Sequence, residues 1–506
     1  MRKLRAIGVV LTTAVLLAGC VSQEQIAAYS DQYPGFQTVA SGTAAASGQK
    51  ETVWIQNAEQ ARQTADRVQS LVHKKVISAD TAVQVALLNN RGLQASYAGL
   101  GLSAAEAWQQ TMLENPVVSV GLLGLAHPEV GALRAVESII VANILSLMTQ
   151  KRRVDIADTR FRQAQATAIE DTLALAAQTR RAWIDAVSAF ETVAYLNQAQ
   201  AAADAASELA QKLGETGALP KAGQAREHAF FAELTGQKAE ARLQARLAKE
   251  RLTRLMGLWG QDVDYFVPDS LPPLPGALRN LPGIETDALR SRIDLQVARL
   301  ELEAVARQYR LTEATRYVSD LELTVGIEAE REIETEYELD GSELHEEKSE
   351  KTIATPQIEL EFAIPIFDSG RARMRKGEFA YLQAANRLAE KAVNIRSEAR
   401  SAYTAYRSTH EIARHYRDAV LPLRKAIEEE SLLTYNGMIT STFDLLADTR
   451  ARINTLLMAA NARKNFWVAE ADLAAAIHGG GARNSASPGG PAMMADAGGE
   501  ATDDFF

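Results

Sequence analysis

The sequence lacks most of the features that mark enzymes and disulfide-stabilised proteins. Its 506 residues contain one cysteine and 14 prolines. A single cysteine excludes a disulfide framework, and long stretches without proline or glycine favour long helices over a series of globular modules. No run of about 20 apolar residues follows the first 20 positions, so no transmembrane helix is predicted. A membrane crossing would then require strands closed into a barrel.

Catalytic and phosphate-binding motifs are also missing. The seven histidines include no His-Glu-x-x-His, and there is no Gly-x-Ser-x-Gly and no phosphate-cradling glycine loop. The formal net charge of −10 makes the chain a poor candidate for nucleic acid. The sequence therefore predicts neither an enzyme nor a nucleic-acid-binding protein, and no metal or diffusible cofactor.

The one cysteine, Cys20, ends an apolar N-terminal segment. A basic start is followed by an apolar run over 6–17 and by the small residues Ala18 and Gly19. This pattern predicts a bacterial export signal over 1–19. A lone cysteine at its end is typical of a lipoprotein, in which Cys20 carries covalent lipid, and the absence of a following aspartate favours the outer membrane. An ordinary secretory signal with an incidental cysteine is the alternative.

The chain contains two related halves. Ala86 aligns with Ala288 at an offset of 202 residues, whereas Gly217 aligns with Gly437 at an offset of 220. The difference of 18 residues indicates a longer loop in the second copy. The resulting division is a signal over 1–19, a lipid-anchored tether over 20–78, a first repeat over 79–260, a proline-rich linker over 261–283, a second repeat over 284–478 and a disordered tail over 479–506.

Each copy is predicted to run as a helix, an extended region, a very long helix, a glycine-containing turn and another long helix. The first very long helix covers about 150–215 and its counterpart about 370–436. At ~1.5 Å per residue, each would be on the order of 100 Å long. A plain antiparallel coiled coil would show the same helical periodicity.

The extended regions distinguish the chain from a plain coiled coil. In the second copy, apolar and polar residues alternate over 321–328 and again over 358–366. Such stretches match tilted membrane strands, although a soluble half-buried hairpin alternates in the same way. The acidic stretch 328–351 between them predicts a loop in water. The first copy has shorter counterparts at 117–124 and 136–147, and the periodicity of the latter fits a helix equally well.

Three features together resemble the TolC-like family of outer-membrane efflux proteins. They are the duplicated opening helices, the junction Ile364-Pro-Ile-Phe-Asp-Ser-Gly-Arg371 and the turn 435–446. The resemblance implies a mostly α fold with a membrane β-barrel. In that fold, three chains each give four strands to a shared twelve-stranded barrel, and their helices form a periplasmic tunnel. A single chain with four strands would also leave two open edges in lipid. The corresponding junction of the first copy lacks both the proline and the Asp-x-Gly.

The resemblance also implies a function and partners. The chain would be the passive outer-membrane conduit of a tripartite efflux or type I secretion-like system, opened by a periplasmic adaptor. Its other partners would be an inner-membrane pump of RND, ABC or MFS type and the lipid of the outer membrane. The alternative is a non-conducting structural lipoprotein, whose long helices act as a periplasmic spacer.

Two sets of candidate site residues follow. In the family, the hairpin tips bind the adaptor and close the channel, and Asp444 aligns with a constricting aspartate. Asp444 and Ser441 also match a capping box that would start the last helix. On the alternating strands, carboxylates would line the pore and favour cations, or would only hydrate it. The tip candidates are Gly214, Gly217, Gly223, Gly437, Ser441 and Asp444, and the pore candidates are Glu322, Glu359 and Glu361.

Overall fold

The computed structural model describes residues 22–123, 134–217, 219–340, 343–437 and 442–479. In these ranges the chain is mostly helical, with a four-stranded antiparallel sheet in the order β1-β2-β3-β4. The N-terminal helices and first repeat are α1 (Gln23–Ser30), α2 (Phe36–Ser47), α3 (Ala58–Val72), α4 (Ala79–Asn89), α5 (Arg91–Thr111), β1 (Val117–Leu123), β2 (Ala135–Asn143), α6 (Ile144–Glu215) and α7 (Lys221–Met256).

The second repeat has the same order of elements. It comprises α8 (Ile284–Ser291), α9 (Ile293–Ala314), β3 (Leu321–Asp340), β4 (Glu343–Phe362), α10 (Arg371–His415), a π-helical turn (Tyr416–Val420), α11 (Leu421–Asn436) and α12 (Thr442–His478). The 72 residues of α6 make it on the order of 100 Å long. None of the described helices is both long and apolar enough to cross a membrane.

The opening helix of each copy is broken at equivalent positions. Asn90 separates α4 from α5 and Arg292 separates α8 from α9, an offset of 202 residues (292 − 90). Asn90 accepts a hydrogen bond from the backbone N–H of Leu93 and donates to the carbonyl of Leu255 at the end of α7. The break therefore anchors the returning helix of the first repeat.

The segment predicted as a tether over 20–78 is folded from residue 22 onward. Its side chains Tyr29, Val39 and Val68 are buried in the same core cluster as α4, α5 and α6. The Tyr29 hydroxyl donates to Asp158 on α6 at 2.9 Å. Residues 22–78 are therefore packed against the body, because a few large side chains in a polar, alanine-rich stretch are enough to hold them there.

The acidic stretch 328–351, predicted as a loop, continues the second hairpin. β3 and β4 each contain 20 residues and pair along their whole length, from Leu321 with Phe362 to Asp340 with Glu343. β2 pairs with β3 only as far as Glu330, so 331–340 and its partner strand project about 33 Å beyond the sheet. Residues 341 and 342, between the two strands, lie outside the described residues.

The two copies leave the sheet differently, which accounts for their different junction sequences. In the first copy, α6 begins directly after β2, and the Asn143 side chain accepts from the N–H of Ser146 at 2.7 Å. In the second, a non-helical stretch ends at Gly370, whose φ of +72° is left-handed and whose N–H donates to Asp368 at 2.8 Å. A direct asparagine cap needs neither the proline nor the Asp-x-Gly.

A buried charge cluster holds the second opening helix to α10. Arg292 forms a 2.7 Å ion pair with Asp294, and both side chains are 5% exposed. Lys391 on α10 approaches the same carboxylate at 3.0 Å. Burial raises the pKa of Asp294, but hydrogen bonds and charge from Arg292 and Lys391 outweigh that effect and hold the pKa below its ordinary value.

We expect Asp294→Asn to lower the free energy of unfolding by about 3 kcal/mol, because it removes the buried carboxylate shared by Arg292 and Lys391 and leaves Arg292 only its pair with the exposed Glu398. The folded pKa lies below the unfolded one, so the wild-type contribution is complete above about pH 5 and is lost as pH falls below about 3.9 and through the folded value. Thermal melting followed by circular dichroism across this pH range measures both effects. The exposed Asp66→Asn variant is the control, and equal melting curves for the two variants would contradict the assignment.

Candidate functional site

The sheet places the three predicted pore carboxylates on one face. Glu322 on β3 lies directly opposite Glu361 on β4, and Glu359 is two residues along β4 on the same side. Directly opposed residues share a face of an antiparallel sheet, so the register brings all three together. Glu359 and Glu361 are exposed and Glu322 is partly buried. Like charges in direct opposition are unfavourable, which indicates a face that is in contact with water.

The sequence did not point to two further polar groups on this face. Glu137 on β2 lies opposite Glu328 on β3. The side-chain amide of Gln357 on β4 donates to the carboxylate of Glu137 at 2.8 Å. This bond passes over Gly326 of the intervening strand, where a Cβ would lie 2.7 Å from Ile139 and 2.8 Å from Gln357. Glu137 is the one charged residue in the apolar stretch 136–147. The poor alternation of that stretch hid which face of the strand Glu137 would occupy.

The opposite face of the sheet is apolar and exposed. Every strand contributes, and the exposed fractions reach 63% for Val120 and 77% for Ile358. Exposed apolar surface of this extent marks contact with another protein or with lipid. The exposed members are Val118, Val120, Leu122, Ile140, Val325, Ile327, Ile358, Leu360 and Phe362.

Both outer strands of the sheet have an unpaired edge within the described residues. β1 pairs only with β2, and β4 pairs only with β3. A row of free backbone N–H and C=O groups invites pairing with another strand. The sheet therefore has two open edges in addition to its uncovered apolar face.

The first predicted tip is a tight turn between α6 and α7. Gly217 has a φ of +75°, and the N–H of Leu219 donates to the carbonyl of Leu213 at 3.1 Å. This is the left-handed helix end that glycine favours. A Cβ on Gly223 would lie 3.0 Å from Leu219, and one on Gly214 would collide with the Gln224 side chain. Gly214 and Gly223 thus have a local packing reason and Gly217 a conformational one, and residue 218 lies outside the described part.

The second predicted tip is described only in part. α11 ends at Asn436, and the N–H of Gly437 donates to the carbonyl of Leu433 at 2.9 Å. With a φ of −78°, Gly437 itself is not in the left-handed conformation. Asp444 is exposed in the first turn of α12, where the helix dipole favours a carboxylate. Ser441 lies outside the described residues, so the capping box with Asp444 is untested, and so is the lipid on Cys20.

A charged link joins the two hairpins near their tips. Arg450 on α12 donates to the buried carboxylate of Glu227 on α7 at 2.8 Å. The same guanidinium lies 4.3 Å from the ring centre of Phe230. An apolar cluster that includes Leu196, Leu234 and Ile453 lies beside this link. The two tips are therefore at the same end of the molecule. No local sequence pattern could show this contact between the two repeats.

Metal binding finds no support among the described residues, because no three His, Cys, Asp or Glu side chains are placed to hold an ion. His410 is buried against Phe466, and its Nε2 lies 3.0 Å from the carbonyl oxygen of Pro275.

Solved structures with the same fold are outer-membrane channels. CusC, described for transmembrane channel formation, superposes with a TM-score of 0.63 at 17% identity over 79% of this chain and 92% of its own. The outer membrane channel CmeC of Campylobacter jejuni gives 0.64 at 16% identity over 80% and 86%. The open state of the Neisseria gonorrhoeae channel MtrE gives 0.61 at 15% identity over 82% and 89%. No protein-family model and no curated protein matches the sequence.

Because these sequence identities are low, the structural likeness establishes the fold alone. The resemblance to TolC-like outer-membrane channels inferred from the junction and turn motifs is confirmed at that level. The fold class is confirmed as mostly helical with a four-stranded sheet per chain.

We expect Gly326→Ala to destabilise the sheet by about 1 to 3 kcal/mol, because the added methyl overpacks the site between Ile139 and Gln357. Gly121→Ala is a matched control on the same sheet: its Cβ would meet Glu137 at an ordinary 3.6 Å, and its effect should stay within about 0.5 kcal/mol. The midpoint of heat unfolding in detergent measures both. Equal midpoints would show that Gly326 is not a close-packing position.

Proposed function

We propose that the chain is the outer-membrane channel of a tripartite efflux or type I secretion-like system. Three copies would pair edge to edge, β4 of one with β1 of the next, into a twelve-stranded barrel. The apolar face would contact lipid and the acidic face would line a water-filled pore. Closing the barrel gives both open strand edges a pairing partner, and unpaired edges are not tolerated in lipid.

The observation that carries this proposal is the sorting of side chains by the strand register. One face of the sheet is apolar and exposed on all four strands, and the other carries Glu137, Glu322, Glu359 and Glu361. A soluble hairpin would cover its apolar face with other parts of the chain, but no described element does so here. Lipid on one side and water on the other satisfy both faces.

The helices supply the rest of the conduit. α6 and α10–α11 leave the sheet in the same direction, because β2 and β4 run the same way. The two hairpins contact each other as far as the link between Glu227 and Arg450. In a trimer these helices would enclose a periplasmic tunnel. The tips, with Gly214, Gly217, Gly223, Gly437, Ser441 and Asp444, would receive a periplasmic adaptor bound to an inner-membrane pump. Adaptor binding would open the closed end, and transport through the channel would be passive.

The N-terminal region would add a second membrane attachment. Export under the signal 1–19 and acylation of Cys20 would tether residue 20 to the outer membrane. The segment 22–78, which packs on α4, α5 and α6, would then hold this tether against the first repeat over 79–260. The linker 261–283 and the second repeat over 284–478 would complete the body, and 480–506 of the predicted tail lie outside the described residues.

The purified full-length protein in planar lipid bilayers tests the proposal. We expect trimers that give small, discrete single-channel currents, because the barrel supplies an aqueous path that the tips restrict in the absence of the adaptor. A monomer or dimer that does not conduct would support the alternative, a structural lipoprotein acting as a periplasmic spacer.

Carboxylates on the pore face should make the channel modestly cation-selective. Three copies of Glu322, Glu359 and Glu361 would place nine carboxylates around one pore. We expect the triple glutamine variant to reduce the cation-to-anion permeability ratio roughly twofold or more, read from reversal potentials in a salt gradient. The control removes three exposed charges from α1 and α3 (Glu24→Gln, Glu59→Gln, Asp66→Asn). Anion preference in the unaltered channel would contradict the assignment.

A further inference from the structure

Positive charge is concentrated where the long helices meet the sheet. α6 and α10 begin here and α9 ends here, within about two helical turns of the strands. Seven exposed cations occupy these turns, and we refer to them as the junction belt. Its members are Lys151, Arg152, Arg310, Arg371, Arg373, Arg375 and Lys376.

The belt is continuous across the three helices. Arg152 on α6 donates to the carbonyl of Arg310 at the end of α9, at 3.3 Å. α9 in turn contacts α10, where a Cβ on Gly377 would lie 2.7 Å from the Tyr309 ring. Both repeats contribute at equivalent positions, since Lys151 and Arg371 are related by the repeat offset of 220 residues.

Few carboxylates neutralise the belt. Arg375 pairs with Glu378 at 2.7 Å, and Arg373 reaches Asp368 only at 3.8 Å. Among the described residues, no ion pair involves the other five members: Lys151, Arg152, Arg310, Arg371 and Lys376. An open cavity of about 740 Å³ lies between α6 and α9, lined by Arg152, Asp155, Arg307, Arg310, Glu313 and Ala314.

Exposed apolar side chains lie immediately on the sheet side of the belt. Phe367 is fully exposed, Ile366 is 74% exposed and Tyr317 is 60% exposed. Only three residues separate Phe367 from Arg371. A change from apolar and aromatic to cationic side chains over one short segment matches the boundary between hydrocarbon and headgroups in a bilayer.

We propose that the junction belt binds the phosphate groups of anionic phospholipids in the periplasmic leaflet of the outer membrane. This inference rests on the proposed function, because it requires the sheet to span that membrane. Guanidinium and ammonium groups recognise phosphate by charge-assisted hydrogen bonds, and clustered cations at a membrane surface attract anionic lipid. The belt would fix the depth of the barrel as well as select its lipid neighbours.

The test compares lipid preference in reconstituted vesicles. The full-length protein is placed in phosphatidylcholine with a minor fraction of brominated phosphatidylglycerol or brominated phosphatidylcholine, and the quenching of tryptophan fluorescence gives their relative affinity. Trp108, 38% exposed on α5, is close to the junction, because α5 ends at Thr111, whose carbonyl accepts from Gln150 on α6 at 2.9 Å. We expect phosphatidylglycerol to be preferred, and raised salt to weaken the preference.

The belt variant combines Lys151→Gln, Arg152→Gln, Arg371→Gln and Lys376→Gln. Its preference for phosphatidylglycerol should fall by about tenfold. The matched control removes four exposed arginines from α7, far from the sheet (Arg242→Gln, Arg246→Gln, Arg251→Gln, Arg254→Gln), and should keep the preference. An unchanged preference in the belt variant would overturn the proposal, and so would an equal loss in the control.

Single-channel recording of the same preparations separates this inference from the proposed function. Channels with no lipid preference would overturn the belt assignment alone. A lipid preference that depends on the belt, without channels in any lipid, would support the lipid contact and overturn the conduit. A belt variant with unchanged lipid preference but altered ion selectivity would place these cations in the lumen and overturn the lipid proposal.

Discussion

The pairing of β2 with β3 is the contact on which the rest of the structure depends. It joins the two repeats into one sheet over nine residue pairs, from Ala135 with Glu330 to Asn143 with Glu322. The side-chain period of a strand is two, so a slip of one residue would exchange the acidic and apolar faces. The close approach at Gly326 and the bond between Gln357 and Glu137 both depend on this register. The same pairing starts both very long helices from one side of the sheet, and their tips therefore meet at one end.

Charge and apolarity are layered along the molecule. The projecting acidic hairpin comes first, then the apolar band of the sheet, the junction belt, and finally the helices with their scattered surface ion pairs. Isolated surface pairs add little stability. The helical body is held instead by three apolar clusters, by the buried pair of Arg292 and Asp294, and by the link between Glu227 and Arg450. The layers of charge and apolar surface thus match the surroundings of each part of the molecule, whereas the buried contacts stabilise the fold.

Local pattern in the sequence was enough to predict the repeats, the very long helices and the alternation of β3 and β4. Spacing alone put Glu359 and Glu361 on one face of β4, because strand parity is a local property, whereas the register of β3 against β4 adds Glu322 to that face. Three features could not be predicted in this way. The 22–78 segment packs through a few large side chains in a polar background, and the acidic stretch 331–340 pairs as strand through backbone bonds that its charges do not reveal. The link between Glu227 and Arg450 joins residues 223 positions apart, which only the assembled fold brings together.

The central claim is that copies of this chain close edge to edge through β1 and β4, and disulfide trapping tests it most directly. Within one chain the two edges lie about 14 Å apart across the four strands, too far for a disulfide. Val120→Cys on β1 is combined in turn with cysteines at each position from 358 to 362 on β4, and these two introduced cysteines can therefore bond to each other only between chains. The account predicts disulfide-linked dimers and trimers on non-reducing gels for at least one position. Monomers at every position, in membranes that contain the folded protein, would contradict it.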